Sequence, residues 1–186
     1  MKKLLLHICC APCAIYPLEY LNSTDLIVTG LFYNPNIHPQ DELDLRLENV
    51  YKLSNIYNFD CIFDESSKQQ LYEKFIKNNS IYRCEFCYDL RLEYSFRYAK
   101  EHGYNFITTT LLYSIYQNHD LLIKICEKLA LKYEVNFYYV DFRKEFRYGQ
   151  QKAKDLGIYC QKYCGCIISL KERIAEISKN FKENKL

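Results

Sequence analysis

The chain has 186 residues, enough for one globular domain and too few for two full catalytic domains. Hydrophobic residues make up 49%, aromatic residues 16% and charged residues 26%, with five Gly and four Pro, which excludes disordered, collagen-like and low-complexity classes. The formal net charge of +2 gives no strong overall field of the kind that many nucleic-acid-binding proteins carry, although it leaves room for a local basic patch.

The first half of the chain alternates short apolar runs with longer periodic segments. Strands are predicted over residues 3–9, 26–34 and 61–64, because short apolar runs bounded by turn residues are typical of buried strands. Helices are predicted over residues 12–21, 41–57 and 66–77, the last of them beginning with a serine cap at Ser66.

The same alternation continues in the second half. A long helix is predicted over residues 84–102, with a left-handed cap at Gly103, and a β-branched strand over residues 106–112. An amphipathic helix over residues 119–134, a strand over 136–142 and helices near 144–156 and 167–182 follow.

Strands that alternate with helices imply βαβ crossovers and a parallel sheet. We therefore predict a single Rossmann-like three-layer α/β domain over residues 1–186, with a mostly parallel sheet of about five strands. The YCGC segment and the last helix are expected to pack over the site. Ligands of such sheets bind outside the carboxyl ends of the strands, so functional residues are expected at that edge.

Ten cysteines are the main anomaly of the composition. A domain of this size does not need disulfides to fold, and the N-terminal segment lacks the apolar length and cleavage site of a signal peptide. No apolar run approaches the roughly 20 residues of a membrane span. We therefore expect a cytoplasmic protein without a membrane partner, in which clustered thiols bind metal or take part in redox chemistry.

Seven of the cysteines fall into three short motifs. HICCAPC spans the end of the first predicted strand, and its proline favours a turn there. RCEFC opens a predicted helix, where free N–H groups and the helix dipole favour thiolates, and YCGC precedes the last helix. These seven cysteines, expected at one edge of the sheet, are Cys9, Cys10, Cys13, Cys84, Cys87, Cys164 and Cys166. Cys61, Cys126 and Cys160 are expected to be structural.

Two kinds of metal site compete for these thiols. A Cys₄ zinc site would use the two CxxC pairs, but their separation is much longer than the roughly 15 to 20 residues of a zinc ribbon. An iron–sulfur cluster with further thiols beside it uses more of the cysteines, and a thioredoxin-like dithiol uses fewer. The residues alone favour the cluster and leave zinc open.

Other polar residues carry weaker indications. His7 is expected to be a buried core histidine with its hydrogen bonds satisfied. Thr108–Thr110 could hold a ligand or cap a helix, and the sequence favours neither role. Asp141 and Arg143 could contact a substrate or form an ion pair with each other, again with no preference.

The motifs, in their order, resemble the cobalamin-independent epoxyqueuosine reductases, the QueH family. The segments that carry the resemblance are HICCAPC, YNPNIHP, RCEFCYDLRLE, FITTTLLYSIYQNHD, YYVDFR and QKYCGCIISL. The resemblance implies a cytoplasmic oxidoreductase that reduces epoxyqueuosine to queuosine at the wobble position of tRNA, with an external electron donor of unknown identity. Ile115 stands where the family pattern has proline, which affects the shape of that loop.

The resemblance also implies the roles of the thiols. It implies a [4Fe–4S] cluster bound by Cys9, Cys10, Cys84 and Cys87. It implies that Cys164 and Cys166 are catalytic, either as a redox-active disulfide or as ligands of an additional mononuclear iron, for which Cys13 is a further candidate ligand. Epoxide reduction consumes two electrons, whereas such a cluster supplies them singly, so a second redox element is useful.

The tRNA partner has modest support from the residues themselves. The basic side chains that flank YCGC are Lys152, Lys154, Lys162, Lys171 and Arg173. They are candidates for phosphate contacts and equally compatible with a solvated basic surface. A zinc-stabilised RNA-binding module and an iron–sulfur electron carrier without its own catalysis remain alternative functions.

Overall fold

A five-stranded parallel sheet forms the centre of the protein. The computed structural model describes residues 1–183, and its strands lie in the order β3-β2-β1-β4-β5. The strands are β1 (Lys2–His7), β2 (Leu26–Tyr33), β3 (Cys61–Asp64), β4 (Phe106–Thr109) and β5 (Asn136–Phe137). All neighbouring strands are parallel, which confirms the predicted α/β fold class. The apolar run of Leu4, Leu5 and Leu6 explains why β1 is central, because all three side chains are fully buried.

Residues 1–183 contain seven α-helices, which surround the sheet. They are α1 (Ala11–Asn22), α2 (Gln40–Tyr57), α3 (Gln69–Ile76), α4 (Arg83–Glu101), α5 (His119–Tyr133), α6 (Phe146–Asp155) and α7 (Ile167–Glu183). Leu4 and Leu6 pack with residues of α1, α2 and α6, whereas Leu5 packs with residues of α4 and α5. Because successive strand residues point to opposite faces, β1 contributes to both cores and the domain has three layers.

Two predicted strands are shorter than expected. β4 ends at Thr109, because the hydroxyl of Thr109 accepts a hydrogen bond from the amide of Leu111 and caps a 3-10 helix over Thr110–Tyr113. β5 ends at Phe137, and the side chain of Asp141 caps a second 3-10 helix over Phe142–Glu145. The predictions of strands through residues 112 and 142 are therefore wrong.

Of two helix ends predicted from the sequence, one is wrong and one is confirmed. α3 begins at Gln69, so the predicted start with a cap at Ser66 is wrong, and the amide of Ser66 instead donates to the carboxylate of Asp64 at 2.9 Å. Gly103 takes the predicted left-handed conformation after α4, with φ +70°.

The last helix contacts the helix that carries the RCEFC motif. Arg83, at the start of α4, forms an ion pair of 2.5 Å with Glu172 of α7. The packing of the last helix over the site and the single domain over residues 1–186 stay predictions, and residues 184–186 lie outside the described part. Within residues 1–183, no helix combines the length and the apolar character that crossing a bilayer requires.

Candidate metal centre

Cys9, Cys10 and Cys13 form the first thiol group, at the carboxyl end of the central strand. β1 ends at His7, Cys10 is the extended N-cap residue of α1, and Pro12 lies in the first turn of that helix. The turn that the sequence required between strand and helix therefore exists. It brings the three sulfur atoms within 4.8 Å of one another, and they are the one such set of three or more metal-ligating side chains in residues 1–183.

The pKa values of the three thiols in the first group are shifted in different directions. Hydrogen bonds from the thiols of Cys10 and Cys13, and from the hydroxyl of Thr110, hold the pKa of Cys9 well below its usual value, against the effect of burial. Burial raises the pKa of Cys10, and hydrogen bonding to its two neighbours raises that of Cys13. Three sulfur donors this close together are a soft donor set suited to zinc or iron.

Cys84, Cys87, Cys164 and Cys166 form the second thiol group, where the start of α4 faces the YCGC segment. Burial raises the pKa of Cys87 to about 11, and the charges of Cys164 and Cys166 add to that rise. Burial and the same two neighbours raise the pKa of Cys84. Burial opposes ionisation of Cys166 as well, yet hydrogen bonds from Ser169 lower its pKa. The two cysteine pairs are therefore electrostatic neighbours.

The predicted cluster ligands are divided between the two groups, with Cys9 and Cys10 in the first and Cys84 and Cys87 in the second. The four sulfur atoms do not all lie within 4.8 Å of one another, so this ligand set stays a prediction. Arg91 joins the groups, because its buried guanidinium interacts electrostatically with thiols of both, Cys9 and Cys87 among them.

Arg46 fixes the backbone of the YCGC segment. Its Nη1 and Nη2 atoms each lie 3.0 Å from a carbonyl oxygen, those of Cys164 and Tyr163 respectively. Its Nε donates to Glu42 at 2.7 Å, and the other carboxylate oxygen of Glu42 accepts a hydrogen bond from Tyr159 at 2.8 Å. A buried ion pair on α2 thus holds the segment that precedes α7.

Gly165 has to be a glycine because of this arrangement. Its φ is +129°, and a Cβ atom there would lie 3.0 Å from Nη1 of Arg46. Cys164 and Cys166 on either side of it are free thiols, as are the other eight cysteines, so the structure gives no support to the disulfide alternative.

Two glutamine amides point at sulfur atoms. Nε2 of Gln161 lies 2.9 Å from Sγ of Cys10, and Nε2 of Gln117 lies 3.3 Å from Sγ of Cys164. The amide oxygen of Gln117 in turn accepts a hydrogen bond from Tyr88 at 2.8 Å, which orients the donor. N–H groups directed at sulfur stabilise thiolates and tune bound metals. Nothing in the sequence pattern indicated Gln161.

The polar residues at the ends of β1 and β4 support the first thiol group. His7 is a buried core histidine as predicted, bonded to Thr109 Oγ1 at 2.8 Å and to the carbonyl oxygen of Tyr33 at 3.2 Å. Burial lowers its pKa to about 4, so it is neutral at pH 7. The hydroxyl of Thr110 accepts from the amide of Cys9 at 2.9 Å and donates to its sulfur at 3.2 Å.

The remaining predictions concern residues outside the two thiol groups. Asp141 and Arg143 form an ion pair of 2.7 Å, which is one of the two roles that the sequence allowed them. Cys126 is fully buried in the core, and Cys61 and Cys160 are partly buried, as expected of structural cysteines.

The fold and the site together define a class, namely a Rossmann-like α/β protein with a candidate thiolate metal centre at the carboxyl edge of its sheet. The family model described as epoxyqueuosine reductase QueH matches residues 4–172. The chain belongs to this family.

Two curated relatives and one solved structure illustrate the likeness. The chain is similar to the epoxyqueuosine reductase QueH of Dehalococcoides mccartyi, at 38% identity over 94% of this chain and 96% of that protein. It is also similar to the one of Thermotoga maritima, at 34% identity over 96% and 97%. A predicted subunit of a tRNA methyltransferase from Methanocaldococcus jannaschii shares the fold, with a TM-score of 0.55 at 9% identity over 81% of this chain and 74% of that one.

Proposed function

We propose that this chain is an oxidoreductase that reduces epoxyqueuosine to queuosine at the wobble position of tRNA, the last step of queuosine biosynthesis. The observation that carries the proposal is the extent of the family match. It runs over residues 4–172 and therefore includes all three thiol motifs. The reaction takes up two electrons and two protons and releases the epoxide oxygen as water.

The donor set fits a [4Fe–4S] cluster, for which we propose Cys9, Cys10, Cys84 and Cys87 as ligands. Such clusters are held by four thiolates, and when bound this one would supply single electrons. Hydrogen bonds from Cys10, Cys13 and Thr110 lower the pKa of Cys9, which makes its ionisation to a ligand easier. Among the largest fully buried side chains are those of Arg46 and Arg91, whose charges act on thiols of both groups and can offset an anionic centre.

Cys164 and Cys166 are proposed to act between the cluster and the substrate. Cys164 is exposed, so it is open to an incoming nucleoside, whereas Cys166 is buried. Both are free thiols, which can ligate an additional iron together with Cys13. The clamp by Arg46 and the hydrogen bond from Gln117 would hold Cys164 in one orientation during the reaction.

The tRNA would reach this edge across a surface with exposed lysines and aromatic rings. Lys154, Lys162 and Lys171 are exposed and take no part in the ion pairs of residues 1–183. Tyr116 is 80% exposed and precedes Gln117, which contacts Cys164. Tyr82 is also exposed and lies just before the start of α4, two residues from Cys84. Unstacked anticodon-loop bases stack on such rings, while phosphates bind the lysines.

The test combines metal analysis with nucleoside analysis. Protein purified without oxygen is expected to contain iron and sulfide, and with an artificial reductant it should convert epoxyqueuosine in tRNA to queuosine. Zinc without conversion would identify an RNA-binding module instead. A cluster protein that leaves epoxyqueuosine unchanged, in vitro and in a complemented deletion strain, would identify an electron carrier.

A further inference from the structure

Arg91 brings a permanent positive charge into the interior of the domain. It lies on α4 one turn after Cys87, and only 2% of it is exposed. Its Nε donates to Oδ1 of Asn36 at 2.8 Å, which fixes the plane of the guanidinium. Arginine does not lose its proton in proteins, so the charge cannot be removed by titration.

No carboxylate balances this charge in the described part of the chain. The ion pairs formed by residues 1–183 do not include Arg91. Arg46, the other large buried arginine, pairs with Glu42 at 2.7 Å. A buried charge without a partner is strongly destabilising, so Arg91 requires a different kind of anion.

The anionic groups available to Arg91 are thiols from three segments of the chain. The groups that interact most strongly with the Arg91 charge are Cys87, Cys164, Cys9 and Cys166. Cys87 precedes Arg91 by one helical turn on the same face of α4, so the guanidinium lies beside the second thiol group.

Asn36 provides a second, independent indication of an anionic occupant. Its oxygen holds Arg91, while its buried Nδ2 has no hydrogen-bond partner within residues 1–183. The amide faces the sulfur of Cys87, which can become its acceptor when the centre is anionic. An unused donor beside an unpaired cation fits an anionic acceptor at this position.

We propose that Arg91, oriented by Asn36, is the counter-charge of the anionic centre that the two thiol groups assemble, and that it raises the reduction potential of that centre. The inference rests on the proposed function and makes Arg91 a positioning residue. One-electron reduction adds one negative charge to the centre. A fixed cation in a low-dielectric interior stabilises the reduced form more than the oxidised form.

The first test measures the reduction potential of the metal-loaded protein. R91M and R91Q remove the charge, and R91Q keeps an amide that can reach Asn36. Both are expected to reduce the equilibrium constant for reduction at least tenfold, which is a fall of about 59 mV for a one-electron couple. R91K should stay near the wild type. The matched control is R97M, because Arg97 is on the same helix, exposed, and 3.9 Å from Glu101.

The second test separates an electrostatic role from a structural one. In metal-free protein R91M is expected to be at least as stable as the wild type, because it removes an unbalanced charge. The rise in Tm on metal loading should then be smaller in R91M than in the wild type. Equal losses of stability in both forms, or unchanged potentials in R91M and R91Q, would overturn the inference.

The two proposals fail in different ways. A wild-type protein that binds a redox-active centre but does not convert epoxyqueuosine contradicts the proposed function and leaves the role of Arg91 intact. If R91M yields no folded protein, R91Q decides both measurements, since it removes the same charge with a polar side chain.

Discussion

Arg46 and Cys164 are joined by a hydrogen bond of 3.0 Å between the guanidinium and the main-chain carbonyl oxygen. The bond links α2 to a segment with little regular structure of its own. The position of the exposed Cys164 thiol therefore depends on a buried charge elsewhere in the fold.

Replacing Arg46 should release this segment. R46M leaves the carboxylate of Glu42 buried without its cation, which destabilises a protein by about 3 to 5 kcal/mol. Hydrogen exchange at residues 163–166 should accelerate, and the double variant E42Q/R46M should regain part of the stability. R173M, which breaks a partly exposed pair with Glu176, is the control and should change stability by less than about 1 kcal/mol. Wild-type exchange rates in R46M would show that the clamp has no such effect.

Thr110 and Thr108 allow a controlled test of how a hydroxyl supports the first thiol group. T110V removes the acceptor of the Cys9 amide and the donor to its sulfur, so the metal-free protein should lose about 1 to 3 kcal/mol. The hydroxyl of Thr108 is buried without a hydrogen-bond partner in the described residues, so T108V should be neutral or stabilising. Denaturant unfolding compares the two, and equal effects would argue against the support given to Cys9.

The two cysteines of YCGC should be needed for turnover but not for holding the cluster. C164S and C166S are expected to abolish conversion of epoxyqueuosine while leaving most of the cluster absorbance. C160S is the control, since Cys160 is half-buried and bonds only locally, to the carbonyl oxygen of Ile158 at 3.6 Å. Full activity in either of the first two variants would remove that residue from the mechanism.

The three exposed lysines near YCGC should account for part of the salt dependence of tRNA binding. Changing Lys154, Lys162 and Lys171 to alanine should weaken binding and lower the slope of log K against log salt by about 0.7 for each lost contact with single-stranded RNA. The triple arginine variant keeps the charge and is expected to bind like the wild type. An unchanged slope in the alanine variant would assign these lysines to a merely solvated surface.

Asp141 should contribute a small pH-dependent stability. Hydrogen bonding to Arg143 lowers its pKa from 3.8 to about 2, despite partial burial. The contribution is therefore fully present above pH 3.8 and is lost as the pH falls towards 2. Because the pair is partly exposed, the wild type should exceed D141N by less than about 1 kcal/mol at pH 7. Tm measured against pH for both proteins checks this, and a difference that persists at pH 2 would contradict it.

The sheet was predictable because its sequence pattern is local and unambiguous. Three successive leucines in β1 and the regular alternation of strands and helices already imply a parallel three-layer fold. The ends of β4 and β5 were not predictable from β-propensity, since the side chains of Thr109 and Asp141 divert the backbone into 3-10 helices. These hydrogen bonds compete with strand pairing and leave no mark on the apolar pattern.

The site was predictable only at its sulfur atoms. Spacing identified the cysteine motifs, but not which thiols lie together, because that depends on how the connections cross the sheet edge. Arg46 and Arg91 were missed, since charged side chains on helices are ordinarily exposed. The available indication was position: Arg91 comes four residues after Cys87, on the same helix face, and Arg46 four residues after Glu42.

The wide separation of the three thiol motifs in the chain has a consequence for how the protein matures. Cys9 follows the central strand, Cys84 and Cys87 open α4, and the YCGC segment comes after β5. The four proposed cluster ligands come from the first two of these segments, so a chain in which α4 has not yet packed beside β1 has no complete set of ligands to offer. With the proposed ligand set, metal insertion has to follow the packing of α4 beside β1, and the bound centre would then stabilise that arrangement over earlier, less folded ones.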